Sequence, residues 1–316
     1  MNQAIPQQDR KKAQEKSQVT TKPILVTGAS TGIGRAITEH LSKAGCLVYA
    51  TARTRKDLDS LHALHNVRPI MMDVTKPGQI KRGVAEIRRA GEGLYGVVNN
   101  AAIIDYWPLV ELEDEELKRS FEVNLFGIQR VVREAISLLV ESGGRIVNIS
   151  SVEGLVSTRF AGPYEMTKHA LEAYSDTLAK ELKNHGVSVI VVEPGGFKSN
   201  YAKTTARVLA GRARSRPPML MKKEVREIAK EWREEVVDVA RRASPSPVAA
   251  AVYDALFSGR PKHRYLVAPN SQEFRWTLDG MMSKLIEVNR GSDYGLSKAD
   301  LHRALDDVWA KNSQPT

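Results

Sequence analysis

Short apolar runs alternate with amphipathic helical segments along most of the sequence, and this alternation constrains the fold more than any other feature. A short apolar run is typical of a buried strand in a parallel sheet. Such runs lie at 23–27, 46–52, 67–72, 94–99, 144–150, 187–192 and 260–268. Amphipathic helical segments such as 33–43, 112–140 and 165–185 separate them. The pattern predicts an α/β fold, in which a doubly wound, Rossmann-like parallel sheet carries helices on both faces.

The regions outside this alternation divide the chain further. Residues 1–22 are polar and rich in Gln and Lys, which predicts a flexible basic tail. We interpret 23–316 as a single Rossmann-like catalytic domain. Within it, the charged segment 200–243 follows the sixth strand and predicts a helical lid insertion over the substrate site, because ligands lie beyond the carboxyl ends of parallel strands. Residues 270–316 mix short helical patterns and form a C-terminal extension.

Composition excludes several classes of protein. With 42% hydrophobic and 27% charged residues, the 316-residue chain is not wholly disordered. No stretch approaches the about 20 uninterrupted apolar residues of a membrane helix, and residues 1–22 lack the apolar run of a secretory signal. The single cysteine, Cys46, excludes an intrachain disulfide framework and a multi-cysteine metal site. We therefore expect a cytoplasmic protein without a metal.

The net charge of +10 is unevenly distributed. Residues 1–22 carry five Lys/Arg and two Asp/Glu, and residues 201–243 carry twelve Lys/Arg and six Asp/Glu, so these two segments hold nearly all of the excess. A nucleic-acid-binding fold normally spreads basic residues over its recognition element, with aromatic or Asn/Gln readers among them. That pattern is missing here, so nucleic acid is not an expected partner. Two explanations remain for Arg207, Arg212, Arg214 and Arg216: a solvated face, or attraction of an anionic substrate or membrane surface.

A glycine-rich turn at Thr27–Gly34 directly follows the first strand and opens a helical segment. Glycines allow the backbone to turn tightly, so that amide N–H groups and the helix N-terminus meet the charge of a pyrophosphate. Tight turns also use glycine for backbone reasons alone, but the strand before and the helix after provide the context of a dinucleotide site. The predicted cofactor-binding residues here are Gly28, Ser30, Thr31, Gly32, Ile33 and Gly34.

The end of the second strand indicates which dinucleotide binds. An acidic residue there would bond the ribose 2′-OH of NAD, whereas a basic residue accommodates the 2′-phosphate of NADP. The strand ends at Arg53, and the first acid, Asp57, comes well past it. We therefore predict NADP(H), with NAD(H) as the alternative. At the end of the third strand, Asp73-Val74 either places a carboxylate near the adenine or caps the next helix.

A proton-transfer group is suggested by Tyr164 and Lys168, which lie four residues apart in a helical segment and so share one face. A nearby ammonium favours the phenolate and is expected to lower the tyrosine pKa toward the working range. Ser151 closes the fifth strand, where its hydroxyl can polarise a carbonyl, and Asn124 lies in a separate helical segment. The neighbouring His169 points away from this face and is interpreted as structural.

These motifs together resemble the short-chain dehydrogenases/reductases over roughly residues 23–200. The elements that carry the resemblance occur in the family's order: Thr27–Gly34, Asn99-Asn100-Ala101, Asn124, Ser151, Tyr164, Lys168 and Pro194-Gly195. Two positions depart from the family's pattern. Ala102 stands where a glycine is usual, and Ser199 replaces a threonine while keeping a hydroxyl.

The resemblance implies a role for each site residue. Tyr164 would be the general acid/base, Lys168 would lower its pKa and hold the nicotinamide ribose, Ser151 would orient the substrate oxygen, and Asn124 would organise a proton-relaying water. On the cofactor side, the resemblance implies the following binding residues: Asn100 at the adenosine-side ribose, and Pro194, Gly195 and Ser199 near the nicotinamide carboxamide. It also implies a homodimer or homotetramer.

The substrate side gives softer expectations. The segment 162–173 looks like family members that act on steroids, retinoids or lipid-derived ketones. Tyr106 and Trp107 supply either an aromatic wall of the pocket or core packing. A helical face in the C-terminal extension is expected to pack into the core; its residues are Trp276, Met281, Met282 and Leu285.

Two function classes follow. The first is an NADP(H)-dependent oxidoreductase that transfers a hydride between nicotinamide and a small hydrophobic carbonyl or alcohol. The alternative is a cofactor-binding regulatory or interaction protein that uses the basic tail and the lid. No transmembrane segment is expected in either class, and peripheral contact with a membrane stays open.

Overall fold

The computed structural model describes residues 22–199, 201–216, 218–238 and 243–313. The predicted tail, apart from Lys22, lies outside these residues. Seven parallel strands form one sheet in the order β3-β2-β1-β4-β5-β6-β7. Their bounds are β1 Ile24–Val26, β2 Val48–Ala52, β3 Val67–Met71, β4 Gly96–Asn99, β5 Arg145–Ile149, β6 Ser188–Pro194 and β7 Arg264–Val267. The predicted doubly wound parallel sheet is confirmed.

The helices connect successive strands or follow the sheet. They are α1 Gly32–Lys43, α2 Arg55–His62, α3 Pro77–Ala90, α4 Asp114–Phe121, α5 Gly127–Ser142, α6 Gly162–Leu182, α7 Tyr201–Ser215, α8 Lys222–Asp238, α9 Ser246–Phe257, α10 Ser271–Asn289 and α11 Lys298–Ser313. The predicted segment 112–140 is divided, because a π-helical turn at Glu122–Phe126 separates α4 from α5. The predicted final strand, 260–268, is shorter in the structure.

Two apolar clusters cover the two faces of the sheet. Buried side chains of α1, α2 and α9 pack on one face, with Ile37, Leu61 and Val252 among them. Those of α3, α5 and α6 pack on the other, with Ile80 and Leu139 among them. The strand order reverses between β1 and β4, so the crevice for a ligand is expected at the carboxyl ends of these strands.

The α7–α8 segment, which covers most of the predicted lid, has its own small apolar cluster. Leu209, Val225 and Trp232 pack against Tyr106 and Trp107 from the region after β4. Trp107 is fully buried, so it packs in the core of this cluster and is not a wall of a pocket. The predicted helix 222–242 is confirmed as far as Asp238, and 239–242 lie outside the described residues.

Two arginines that were considered for substrate attraction instead anchor this segment. Arg212 Nη2 donates to Asp105 Oδ2 at 3.0 Å, and its Nε lies 3.0 Å from Glu116 Oε1. Arg216 pairs with Glu113 and with Glu116, the latter at 2.8 Å. Both guanidinium groups lie near the Trp107 ring, where part of their hydration is lost. Carboxylates beside them compensate for this desolvation, which explains why the two arginines form ion pairs and do not face a substrate.

Removal of the Arg212 guanidinium is expected to destabilise the protein. The Asp105 side chain is fully buried, and in Arg212→Ala its nearest remaining cation is Arg119 at 3.8 Å. We expect the free energy of unfolding to fall by about 3 kcal/mol, as measured by urea denaturation. Arg214→Ala is the matched control, since Arg214 is exposed on the same helix. Equal stability of the two variants would contradict the anchoring role.

The C-terminal extension differs from the expectation. Trp276, Met281, Met282 and Leu285 are 41–57% exposed, so the prediction that this face packs in the core is wrong. The opposite side of α10 packs against the rest of the protein. There Thr277 is buried, and Lys284 Nζ donates to the Leu155 carbonyl at 2.9 Å. Polar and small residues make this contact. The apolar periodicity of the segment therefore did not indicate which side of α10 packs against the protein. Among the described residues, none of the helices is long and apolar enough to span a bilayer.

Candidate active site

A cavity of about 1540 Å³ lies at the carboxyl ends of the strands. It is lined by the turn after β1, the ends of β2 to β6, and parts of α7, α8 and α10. The predicted site residues that line it are Gly28, Ser30, Thr31, Gly32, Ile33, Gly34, Arg53, Asp73, Val74, Asn100, Ser151, Tyr164, Lys168, Pro194, Gly195 and Ser199. Residues that are far apart in the sequence thus share one crevice.

The glycine turn leaves its backbone uncovered. Gly28 and Gly32 have φ of +64° and +56°, which residues with a Cβ rarely adopt. A Cβ at Gly34 would lie 2.3 Å from the Gly28 carbonyl oxygen and 2.4 Å from Asn100 Nδ2. Asn100 Nδ2 donates to the Thr27 and Gly28 carbonyls at 3.0 and 3.1 Å, so its side chain braces the turn. This uncovered cradle at the start of α1 fits a phosphate group.

The part of the cavity at the ends of β2 and β3 combines a cation with two acids. Arg53 follows β2 and makes no ion pair within the described part of the chain, whereas the Asp57 carboxylate accepts a hydrogen bond from Thr54 Oγ1 at 2.7 Å. Burial acts to raise the pKa of Asp73, but hydrogen bonds from Thr75 and the charge of Arg53 hold it below its ordinary value. Lys76 is the N-cap of α3, so Asp73 lines the cavity and does not cap that helix.

Asn124 does not line the cavity. It is fully buried in the π-helical turn, and its Oδ1 accepts from the Ile103 amide at 2.8 Å. Its Nδ2 donates to the Ile103 carbonyl at 2.8 Å and to Thr167 Oγ1 at 3.0 Å. The side chain therefore joins the segment after β4 to α6, beside the site.

Ser151, Tyr164 and Lys168 meet at the centre of the cavity. Ser151 Oγ accepts from the Glu153 amide at 3.1 Å and hydrogen bonds with the Tyr164 side chain. Lys168 Nζ donates to the Ile149 carbonyl at 2.8 Å and lies 5.5 Å from the centre of the Tyr164 ring. The end of β5 and the first two turns of α6 hold these three groups.

The electrostatics of Tyr164 differ from the expectation. Burial raises its pKa well above the ordinary value, the Glu153 carboxylate raises it further, and the Ser151 hydrogen bond lowers it. The predicted lowering by Lys168 is not found: the Ser151 hydrogen bond is what lowers the tyrosine pKa, and desolvation of the phenolate dominates the shift. At neutral pH the phenol is protonated and can donate a proton. Burial lowers the pKa of Lys168 to about 8, against the opposing charges of Glu172 and Glu153.

Sequence reasoning missed five acidic residues of the lining: Glu153, Glu224, Glu227, Glu231 and Glu273. Glu153 lies two residues after Ser151, and Tyr106 Oη donates to its carboxylate at 2.7 Å. Glu273, from α10, accepts from the Gly196 amide at 2.7 Å, beside the loop after β6. The position of Glu153 next to Ser151 is a signal that was available. Glu273 gives none, because only the fold brings the C-terminal extension to this loop.

Known proteins are similar to this chain in sequence. A short chain dehydrogenase family model matches residues 22–210. The NADPH-dependent 3-dehydrocapnine reductase of Ornithobacterium rhinotracheale is 30% identical over 275 residues, covering 83% of this chain and 94% of that protein. Estradiol 17-beta-dehydrogenase 2 of Mus musculus is 36% identical over 194 residues, which are 58% of this chain and 50% of that protein.

A solved structure has a similar fold. The crystal structure of a short-chain dehydrogenase from Streptomyces avermitilis matches with a TM-score of 0.66 at 28% identity, over 92% of this chain and 97% of that one. The chain belongs to the short-chain dehydrogenase/reductase family of oxidoreductases, whose members use nicotinamide cofactors.

Proposed function

We propose that this protein is an NADP(H)-dependent oxidoreductase that interconverts a hydrophobic ketone or aldehyde with its alcohol, with Tyr164 as the general acid/base. The observation that carries the proposal is that Ser151, Tyr164 and Lys168 line one cavity with the glycine turn. Neither group alone specifies a reaction. Together they place a proton donor beside a cradle suited to a dinucleotide.

The cofactor site fits a dinucleotide phosphate. The turn from Gly28 to Gly34 offers backbone amides at the N-terminus of α1, and Arg53 offers a cation for a 2′-phosphate. The relative that is named an NADPH-dependent reductase supports the same choice. When bound, NADPH supplies the hydride. The loop at Pro194-Gly195 and the Lys168 ammonium would hold its nicotinamide end.

The protein's own groups would handle the proton. The hydroxyls of Ser151 and Tyr164, which hydrogen bond to each other, would both donate to a substrate carbonyl oxygen. Tyr164 would transfer its proton to that oxygen. The raised pKa keeps the phenol protonated at neutral pH but makes it a weaker acid, so the transfer depends on stabilising the phenolate. Lys168 would stabilise the phenolate that results, since its ammonium is the nearby cation.

The substrate side of the cavity favours an apolar molecule. Its lining includes Ile104, Val152, Phe160, Val208, Ile228, Trp232 and Trp276. Aromatic and aliphatic side chains bind apolar surface, and a few polar groups orient the reacting carbonyl. The names of the two relatives, which concern estradiol and 3-dehydrocapnine, are consistent with this class. The α7–α8 segment would act as the lid over this end.

The experiment that tests the proposal is NADPH oxidation by the purified protein with a panel of hydrophobic ketones and aldehydes, with NADH in parallel. We expect turnover of at least one apolar ketone and a preference for NADPH. NADPH binding, measured by fluorescence, is recorded separately. Cofactor binding without turnover of any panel member would contradict the proposed activity and favour the regulatory alternative, and absence of cofactor binding would contradict the assignment of the glycine turn.

A further inference from the structure

A charged cluster in which Glu172 and Glu193 are buried lies one helical turn from Lys168, outside the lining of the cavity. Arg264 of β7 is its centre: Nη1 lies against Glu172 of α6 and 2.7 Å from Glu193 Oε1 of β6. Arg264 Nη2 lies 2.5 Å from Asp176 Oδ1, and His263 Nε2 lies 2.9 Å from the same oxygen. Three carboxylates therefore share one guanidinium.

The carboxylates of the cluster also act on one another. Burial and the Glu172 carboxylate raise the pKa of Glu193 to about 7, despite its contact with Arg264. Arg264 contacts all three carboxylates, and the His263 ring contacts Asp176 as well, at the exposed side of the cluster. Glu172 is only 7% exposed, so solvent screens its charge poorly.

One oxygen of Glu172 is not used by the ion pair. Arg264 contacts Oε2, whereas Oε1 is buried and has no hydrogen-bond partner in the described part of the chain. Gly154 lies beside it, and a Cβ at this glycine would be 3.2 Å from Oε1. An ion pair that only stabilised the fold would be expected to satisfy both oxygens. An incompletely neutralised carboxylate near an ammonium points to an electrostatic role.

We propose that Glu172 is a positioning residue that keeps the buried Lys168 side chain positively charged, with Arg264 holding its carboxylate one turn along α6. The two residues are at i and i+4 on the same helix, a spacing that places their side chains on one face. Burial opposes the charge on Lys168. A carboxylate one helical turn away favours the ammonium and so extends the pH range over which it persists.

Charged and titratable groups approach Lys168 and Glu172 from several elements. They are Tyr164 and Asp176 of α6, Glu153 of the turn after β5, Glu193 of β6, and His263 and Arg264 of β7. Glu153 lines the cavity and raises the pKa of both Tyr164 and Lys168. Glu172 raises the pKa of Lys168 and is not among the groups that shift the pKa of Tyr164. Replacing Glu172 is therefore expected to change the pKa of Lys168 without changing that of Tyr164 directly.

The test is competitive acetylation of Lys168 in the free protein, with peptides quantified by mass spectrometry across pH. The reactive form is the neutral amine, so the wild-type midpoint is expected at about pH 8. In Glu172→Gln the midpoint is expected to fall by about one unit, which raises the fraction of neutral amine, and so the acetylation rate, at pH 7 about fivefold. Glu172→Asp, which keeps the charge, is expected to stay nearer the wild type.

The matched control is Glu181→Gln, which removes an exposed carboxylate from the same helix and is expected to leave the midpoint unchanged. An unchanged midpoint in a folded Glu172→Gln protein, verified by circular dichroism, would overturn the inference. Should that variant not fold, Asp176→Asn makes the cluster less negative at a half-exposed position. A smaller downward shift is then expected, and no shift would overturn the inference.

A second readout rests on the proposed function. With an active substrate, the alkaline limb of kcat/KM for reduction is expected to move to lower pH in Glu172→Gln, because Lys168 loses its proton earlier. The limb in Glu181→Gln is expected to stay in place. Acetylation that shifts without any turnover would refute the proposed function alone, whereas turnover with an unmoved limb and unmoved acetylation would refute the role of Glu172 alone.

Discussion

We expect Tyr164→Phe to lower kcat/KM for the proposed carbonyl reduction by between about 10²- and 10⁴-fold, the range of a lost general acid. The substitution removes only the hydroxyl that hydrogen bonds with Ser151. The ring stays buried against its surroundings, so the fold and the cofactor site are preserved. We therefore expect NADPH to bind the variant with nearly unchanged affinity, measured by fluorescence, while single-turnover reduction is slow.

The control for this prediction is Tyr174→Phe, which removes a phenol from the same helix without touching the cavity lining. Its kcat/KM is expected to match the wild type. Full activity of Tyr164→Phe would mean that another group protonates the substrate oxygen. If the biological role also survived in the variant, the regulatory alternative would be favoured over catalysis by this site.

Arg53→Asp is expected to reverse the cofactor preference. The guanidinium lines the cavity after β2, where the 2′-phosphate of NADP would lie, and a carboxylate there would repel that phosphate. A charged hydrogen bond is worth about 1.5–3 kcal/mol, so the KM for NADPH is expected to rise at least about tenfold. The KM for NADH is expected to stay level or fall, because the new carboxylate can accept from a ribose 2′-OH.

Arg55→Asp makes the same charge change two residues along, at a side chain that is 86% exposed. Because Arg55 does not line the cavity, we expect both KM values to stay within about twofold of the wild type, as for a screened surface charge. A preference for NADPH that survives in Arg53→Asp would show that Arg53 does not select the cofactor, and that NAD(H) remains an equal candidate for the natural one.

The anchored lid arginines show a limit of charge counting. Residues 201–243 hold a large excess of basic residues, which alone leaves open a solvated face or an anion-binding one. In the structure, Arg212 and Arg216 form ion pairs with carboxylates, namely Asp105, Glu113 and Glu116. Arg207, in contrast, lines the cavity. The acids that pair with them are about 100 residues away in the chain, so no local pattern announces the pairing.

The pKa of Tyr164 shows a second limit. Its spacing from Lys168 predicted that both side chains share one helix face, and in the structure both lie on α6 and line the cavity. The direction of the shift depended on burial and on Glu153, and neither can be read from an i, i+4 pair. The network of Glu172, Glu193 and Arg264 was likewise beyond sequence reasoning, since it joins one helix and two strands.

The sequence by itself determined the parallel sheet, the glycine turn and the order of the site residues along the chain. These properties are local: apolar periodicity, glycine conformations and residue spacing depend on neighbours within a few positions. Only the tertiary structure decided which charges are neutralised, that the Trp276 face is exposed, and that Glu273 reaches the loop after β6. Burial and ion pairing depend on segments far apart in the chain, so they are defined only once the sheet has brought those segments together.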